Sequence, residues 1–199
     1  SALAACGTPP ANQGASNAPT VEDKSDTEKV VNFSNWQLYI DVDDKNSNLR
    51  PTLEEFKKQT GITVNYTEDI NDNDSFYAKI LPQLRAGQST GRDLFALTDW
   101  MAARLIRQGY VQKVDKANTP NVDKNLIAAL KSPTWDPNRD YSAPWQAGLT
   151  GIAYNAAKTG EVTSMSELLT RPDLKGRVTV LSEWRDTMGL IMLDQGANP

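Results

Sequence analysis

Trp36 and Tyr39 lie three residues apart in Asn35-Trp36-Gln37-Leu38-Tyr39-Ile40-Asp41, and a carboxylate, Asp41, follows two residues later. The face of an aromatic ring and a carboxylate both attract positive charge, so this group suits an organic cation. The same spacing suits packing, with Trp36 in a core and Tyr39 half-buried on a helix. On this stretch alone the packing reading leads, because aromatics at helical spacing usually pack. The remaining inventory excludes several chemistries. The chain has no histidine, the commonest general base and metal ligand. A Ser-His-Asp or Cys-His site cannot be assembled from these residues. The net charge is −4, from 21 basic and 25 acidic side chains, which argues against sequence-independent binding of nucleic acid, since that needs a basic face.

The elements that position the two rings follow from the pattern around them. Val30 to Phe33 reads as a strand, and Ser34-Asn35 as a turn. That places the rings at the carboxyl edge of a sheet, where open α/β sheets bind ligands. Leu49 to Gly61 reads as a helix with Leu49, Leu53 and Phe56 on one face and Gly61 as its stop. Ile62 to Tyr66 alternates and is β-branched, so it is a second strand. This β-α-β run predicts a right-handed crossover and a parallel pair. A helix weakened by Pro82 follows from Asp74 to Leu84, then a short apolar strand over Asp93 to Thr98 and a helix over Trp100 to Gly109. Val111 to Val114 is expected to be extended, and Leu126 to Leu130 a short helix. Pro137 to Asn155 reads as a crossing between two α/β lobes, ending in a strand. Ser164 to Leu169 starts a helix with a Ser/Glu capping box. Val178 to Leu181 reads as a buried strand and Ser182 to Leu193 as a helix.

The 199 residues are 39% hydrophobic, enough for a substantial core. No run approaches the length of a membrane-spanning helix. The single cysteine, Cys6, allows no intrachain disulfide. Its setting, Leu3-Ala4-Ala5-Cys6-Gly7, matches the lipobox of bacterial lipoproteins, in which the cysteine sulfur carries diacylglycerol. A Pro/Ser/Asn/Ala-rich tether follows to about Asp26. Residues 1–27 are therefore expected to be a lipobox remnant and tether, 28–145 a first lobe, and 146–199 a crossover and the beginning of a second lobe. The chain stops at Asn198-Pro199, just after a glycine-containing turn, and is expected to be part of a longer protein.

Several further stretches fall in a familiar order. They are Asn35-Trp36-x-x-Tyr39; Leu53-Glu54-Glu55-Phe56-x-x-Gln59-Thr60-Gly61-Ile62-x-Val64-x-Tyr66; Phe76-Tyr77-Ala78-Lys79; Asp93-Leu94 before Thr98-Asp99-Trp100; Gly109-Tyr110-Val111-Gln112-Lys113-Val114-Asp115; Asp136-Pro137-x-x-Asp140-Tyr141-Ser142-x-Pro144-Trp145; Gly151-Ile152-x-Tyr154-Asn155; and Asp173-Leu174-Lys175-Gly176-Arg177. Together they resemble the spermidine/putrescine-binding proteins of bacterial ABC importers over about residues 28 to 195. The resemblance implies an α/β, two-lobed periplasmic-binding-protein-like fold, truncated here after the start of the second lobe. It also implies a binding protein rather than an enzyme, with no cofactor or metal. The expected partners are a polyamine held between the lobes, the permease subunits of an importer, and a membrane reached through a lipid anchor on Cys6. The expected location is the outer face of the cytoplasmic membrane or the periplasm.

By the same resemblance Trp36 and Tyr39 match a first aromatic wall. Thr98 and Trp100 match a Ser/Thr-x-aromatic element, and Asp99 lies between them without a clear acidic equivalent. Glu183 and Asp186 match a pair of acids that hold the ligand's ammonium groups, with Asp and Glu exchanged relative to better-known members. Their spacing puts both carboxylates on one face of a helix start, where the helix dipole favours negative charge. Read without the family, Ser182 caps that helix and the two acids merely suit its first turn. The acidic run Glu68 to Asp74 reads as a loop or helix cap, or as carboxylates steering a polycation. Trp145-Gln146 reads as a ligand contact or as a brace for the hinge. The alternatives to polyamine capture are a same-fold binder of a sugar or another organic cation, and a surface sensory lipoprotein.

Overall fold

The computed structural model describes residues 24–198. Three parallel strands form its sheet: β1 (Val30–Trp36), β2 (Thr63–Ile70) and β3 (Leu94–Phe95), in the order β2-β1-β3. β1 pairs with β2 from Val30 opposite Thr63 to Asn35 opposite Glu68, and a one-residue shift then sets Trp36 opposite Ile70. β3 pairs with the middle of β1, Phe33 opposite Leu94 and Ser34 opposite Phe95. The chain runs from the central strand to one neighbour and then crosses to the other. The order therefore reverses around β1, and the crevice at the carboxyl ends of β1 and β3 is a topological switch point.

Two helices make the crossovers, α1 (Pro51–Thr60) and α2 (Asn73–Arg85). α1 opens with proline at its first position, where no intrahelical N–H is needed. Gly61 ends it at φ 75°, its N–H donating 2.8 Å to the Lys57 carbonyl. That left-handed conformation disfavours any residue with a Cβ. The predicted buried face of α1 is only partly covered, and Phe56 remains 40% exposed. α2 starts at Asp72, whose carboxylate accepts the Ser75 N–H at 2.8 Å. It continues through Pro82 to Arg85. Phe76, Tyr77 and Ile80 of α2 are buried. Phe76 and Ile80 pack with Ile70, against Trp36, Leu84, Phe95 and Leu97.

α3 (Asp99–Arg107) completes the first core, with Tyr77, Met101 and Leu105 in contact beside Trp100, Tyr110 and Val111. Beyond it the chain forms short helices: α4 (Pro120–Asn125), α5 (Ala128–Lys131), α6 (Ala156–Thr159) and α7 (Met165–Thr170), then the longer α8 (Trp184–Asp194). The turn-rich stretch after Trp135 is a closed loop. Buried Asp136 accepts the N–H groups of Asp140 and Tyr141 at 2.9 and 3.1 Å and the Ser142 hydroxyl at 2.8 Å. The buried Arg139 guanidinium donates to the Leu130 carbonyl and to Ser142. The expected capping box at Ser164 is present in a displaced form. Ser164 accepts the Glu167 N–H, and the Glu167 carboxylate reaches back one residue further, to the Thr163 N–H at 2.9 Å.

Several expectations are corrected. β1 extends through Ser34-Asn35 to Trp36, so no turn separates Phe33 from the first ring. β2 reaches Ile70, four residues past its expected end, and takes in Glu68 and Asp69 of the acidic run. β3 has only two residues. Val111–Val114, the end of the Pro137–Asn155 crossing and Val178–Leu181 form no strand. A strand needs a hydrogen-bonding neighbour, and the described residues offer Val178–Leu181 none; Val180 and Leu181 are 55% and 54% exposed. The short helix expected over Leu126–Leu130 starts two residues later, as α5 over Ala128–Lys131, and a further short helix, α4, precedes it. The cap of α8 is Glu183, one residue later than the expected Ser182. Among the described residues no helix is long and apolar enough to cross a membrane. The lipobox and Cys6 lie outside the described residues.

Candidate functional site

The last residues of β1 set the position of the Trp36 and Tyr39 rings. Asn35 is wholly buried, and its side-chain oxygen accepts the Trp36 N–H at 2.8 Å, where the pairing with β2 shifts. Trp36 then turns its indole across the switch-point crevice, and Nε1 donates 3.1 Å to the Ala96 carbonyl just after β3. Leu38 has φ 61°, an unusual value for a residue with a branched side chain. Its N–H is held by Glu68 Oε1 at 3.3 Å. That left-handed step returns Tyr39 to Trp36, with ring centroids 6.3 Å apart and planes 35° from parallel. Trp145 Nε1 and Gln146 Nε2 both donate to the Tyr39 carbonyl, at 2.8 and 3.2 Å. Trp145 also packs edge-on against Phe33, 5.2 Å between centroids. Trp145 and Gln146 thus brace the backbone of the wall. Asp41 is not part of the wall: its carboxylate accepts the Thr52 N–H at 2.9 Å and serves the start of α1.

The Thr98-Asp99-Trp100 element forms the amino end of α3. Thr98 is the residue before the helix, and its side chain makes no cap bond. Its hydroxyl and N–H instead face Asn73 at the start of α2. Asn73 Nδ2 donates 2.8 Å to Thr98 Oγ1, and the Thr98 N–H donates 3.0 Å to Asn73 Oδ1. The same amide donates 2.6 Å to Glu183 Oε2, which the Asn73 backbone N–H also approaches at 3.3 Å. Asn73 therefore joins Thr98 of the first region to Glu183 before α8. The next side chains make parallel contacts. Trp184 Nε1 donates 2.9 Å to Asp74, and the Arg185 guanidinium lies 4.1 Å from the Trp100 ring centre and 4.7 Å from that of Trp184. Asp186 accepts the Thr150 hydroxyl at 2.7 Å. Asp99 is exposed at the start of α3, and its charge bears on Arg139.

Of the residues singled out from sequence, Thr98, Trp100 and Glu183 converge around Asn73 and Arg185. Trp36 reaches the same edge through Ala96, and Tyr39 stacks on Trp36. Asn73 was not among the candidates, although an asparagine two residues before Ser75 in an acidic helix start is a visible hydrogen-bonding signal. The acidic run has mostly structural partners. Glu68 pairs with Arg50 at 3.6 Å, Asp69 with Arg92 at 2.5 Å and Lys79 at 2.9 Å, and Asp72 caps α2. Burial works to raise the Asp69 pKa, but hydrogen bonds from Lys79 and Arg92 outweigh it and bring it down to about 2. Among the described residues no cluster of His, Cys, Asp and Glu could hold a metal ion.

The Arg185 guanidinium occupies two indole faces, and Glu183 and Asp186 flank it in sequence, so of the candidate rings the Trp36–Tyr39 pair is the surface that remains uncovered by a cation of the chain. Residues 52–199 match the family described as bacterial extracellular solute-binding protein. The chain belongs to that family. Among its relatives, the spermidine/putrescine-binding periplasmic protein of Escherichia coli K12 is 29% identical over 174 residues, which cover 86% of this chain and 46% of the relative. Spermidine/putrescine-binding periplasmic protein 1 of Haemophilus influenzae is 30% identical over 149 residues, covering 74% and 40%. The putrescine-binding periplasmic protein SpuD of Pseudomonas aeruginosa is 37% identical over 134 residues, covering 65% and 32%. The crystal structure of the spermidine/putrescine ABC transporter substrate-binding protein PotD from Streptococcus pneumoniae superposes with a TM-score of 0.61 at 22% identity, over 86% of this chain and 48% of that one. The α/β fold with its parallel sheet is thus that of a solute-binding protein. The chain spans about half the length of that structure and less than half of the relatives it matches.

Proposed function

We propose that the protein captures a polyamine such as spermidine or putrescine outside the cytoplasm and presents it to the permease of an ABC importer. The observation that carries this reading is the Trp36–Tyr39 ring pair at a sheet switch point, its centroids 6.3 Å apart, on the edge where Asn73 ties the Glu183 carboxylate to Thr98. The names of the relatives, all polyamine binders of the periplasm, point to the same ligand class. A polyamine is a chain of methylenes between ammonium groups. Ring faces cover methylenes and attract the cationic ends, and carboxylates pair with those ends. Closing the protein around the ligand would exclude water and strengthen each pair.

In this reading Trp36 and Tyr39 form the wall, and Thr98 and Trp100 a second face. Glu183 and Asp186 hold the ammonium groups, and Asp99 adds charge at the mouth. Residues 28–145 form the first lobe and 146–199 the crossover and opening of the second. A diacylglyceryl anchor on Cys6 would hold the protein at the outer face of the membrane, and binding requires no catalysis. Thermal unfolding of the full-length protein with spermidine, putrescine or a neutral sugar tests the ligand class. A ligand that binds only the folded state raises Tm in proportion to the logarithm of its concentration. Both polyamines should raise Tm and the sugar should not. A shift with the sugar alone would replace this reading with that of a sugar carrier.

A further inference from the structure

We propose that Asn73 is the positioning residue that sets the Glu183 carboxylate and joins the two sides of the cleft. The proposal rests on the polyamine reading for its consequence, and on geometry for the contact. Asn73 is 0% exposed, and its side chain makes three hydrogen bonds at 2.6 to 3.0 Å. An amide buried without such bonds would be strongly disfavoured. The orientation is determined from within: the Thr98 N–H needs an acceptor, so Oδ1 must face it, and Nδ2 then faces Thr98 Oγ1 and Glu183 Oε2. Aspartate could keep the Thr98 contacts but has nothing to donate to Glu183. The partners are 25 and 110 residues away in sequence, so the amide has no local task that would account for it.

Two consequences bear on ligand capture. With Oε2 engaged by Asn73, Oε1 is the oxygen of Glu183 left to accept an ammonium group, which fixes the direction of approach. The second tie, Trp184 Nε1 to Asp74 beside Asn73, keeps the start of α8 against the start of α2. These ties set the separation between the Thr98–Trp100 face and the Glu183 carboxylate in this structure.

The test uses the full chain, with spermidine as the probe, and compares Asn73→Asp, Asn73→Ala and the wild type between about pH 8 and about pH 5. Asn73→Asp places two carboxylates within about 3 Å, a spacing at which they share one proton. The shared proton is bound more tightly folded than unfolded, so the variant's lost stability returns as pH falls through that raised pKa. The expected result is a loss of about tenfold or more in spermidine affinity at about pH 8, recovering on acidification relative to the wild type. Asn73→Ala should lose affinity without that recovery. Ligand-free Tm should show the same contrast. Adding Glu183→Gln to Asn73→Asp should restore Tm at about pH 8, since the new amide can donate to the introduced carboxylate. Affinity and Tm profiles of Asn73→Asp that run parallel to the wild type would overturn the assignment. If the wild type binds no spermidine, the polyamine reading fails, and the ligand-free Tm profile alone decides the role of Asn73.

Discussion

Tyr39→Ala is the cleanest probe of the aromatic wall, and Trp36→Ala is its control. Tyr39 is 39% exposed and makes no side-chain hydrogen bond among the described residues; its carbonyl carries the contacts to Trp145 and Gln146. Truncating it removes a ring face and leaves the braces in place. The stability cost should stay under about 1 kcal/mol, as for a partly exposed side chain outside the core. Trp36 serves both the wall and the core. It packs against Ile70, Phe76 and Ile80 and donates to Ala96. A buried Trp→Ala costs roughly 3–5 kcal/mol, so about half of that is expected for a half-buried indole, with about 1 kcal/mol more for the lost hydrogen bond. If the rings hold a cation, each face contributes about 1–2 kcal/mol, or about tenfold in affinity. Tyr39→Ala should therefore weaken spermidine binding about tenfold by isothermal titration with almost no change in urea midpoint, whereas Trp36→Ala should lower both. Unchanged affinity in Tyr39→Ala, with loss in Trp36→Ala that tracks unfolding, would refute the wall and leave the two rings as packing residues.

Three further outcomes follow from the fold. Asp69 has a folded pKa of about 2, below the ordinary carboxylate value near 3.8. Its stabilisation is present in full above about pH 4 and is lost as pH falls toward 2, on the order of 2 kcal/mol in all. Asp69→Asn should remove that part of the acid transition in urea melts taken between about pH 2 and about pH 6. Asp136→Ala frees two backbone N–H groups and the Ser142 hydroxyl inside the closed loop, and should cost about 2–4 kcal/mol in the urea midpoint. Gly61→Ala puts a Cβ on a φ of 75° and should cost about 1 kcal/mol by the same assay, although space around that Cβ is open.

The parts of the fold that depend on nearby residues were legible. The first β-α-β unit, the stop at Gly61 and the Ser164 cap each follow from periodicity and end chemistry a few residues apart. The contact between Trp36 and Tyr39 was legible, because they are near neighbours; the braces on the Tyr39 backbone were not, since Trp145 lies 106 residues beyond the carbonyl it holds. Asn73 was missed for the same reason: its two partners lie far off, and in sequence it sits among acids that look like one charged run. The members of that run divide among β2, the cap of α2 and four ion pairs. Val178–Leu181 has the composition of a buried strand, but composition cannot supply the neighbour that a strand requires. Asp41 looked like a third cation-binding group because it follows the rings. The start of α1 takes that carboxylate instead, through the Thr52 N–H.

The central claim is that carboxylates and rings of this chain hold a polycation, and titration of the full-length protein with spermidine addresses it directly. The wild type is compared with the Glu183→Gln/Asp186→Asn variant at about 20 mM and about 200 mM salt, since screening weakens charge pairs that remain open to solvent. Binding by the wild type should be saturable and weakened by salt, and the variant should lose about a hundredfold or more in affinity while its Tm stays near that of the wild type. No heat with the wild type, or equal affinity in the variant, would contradict the claim.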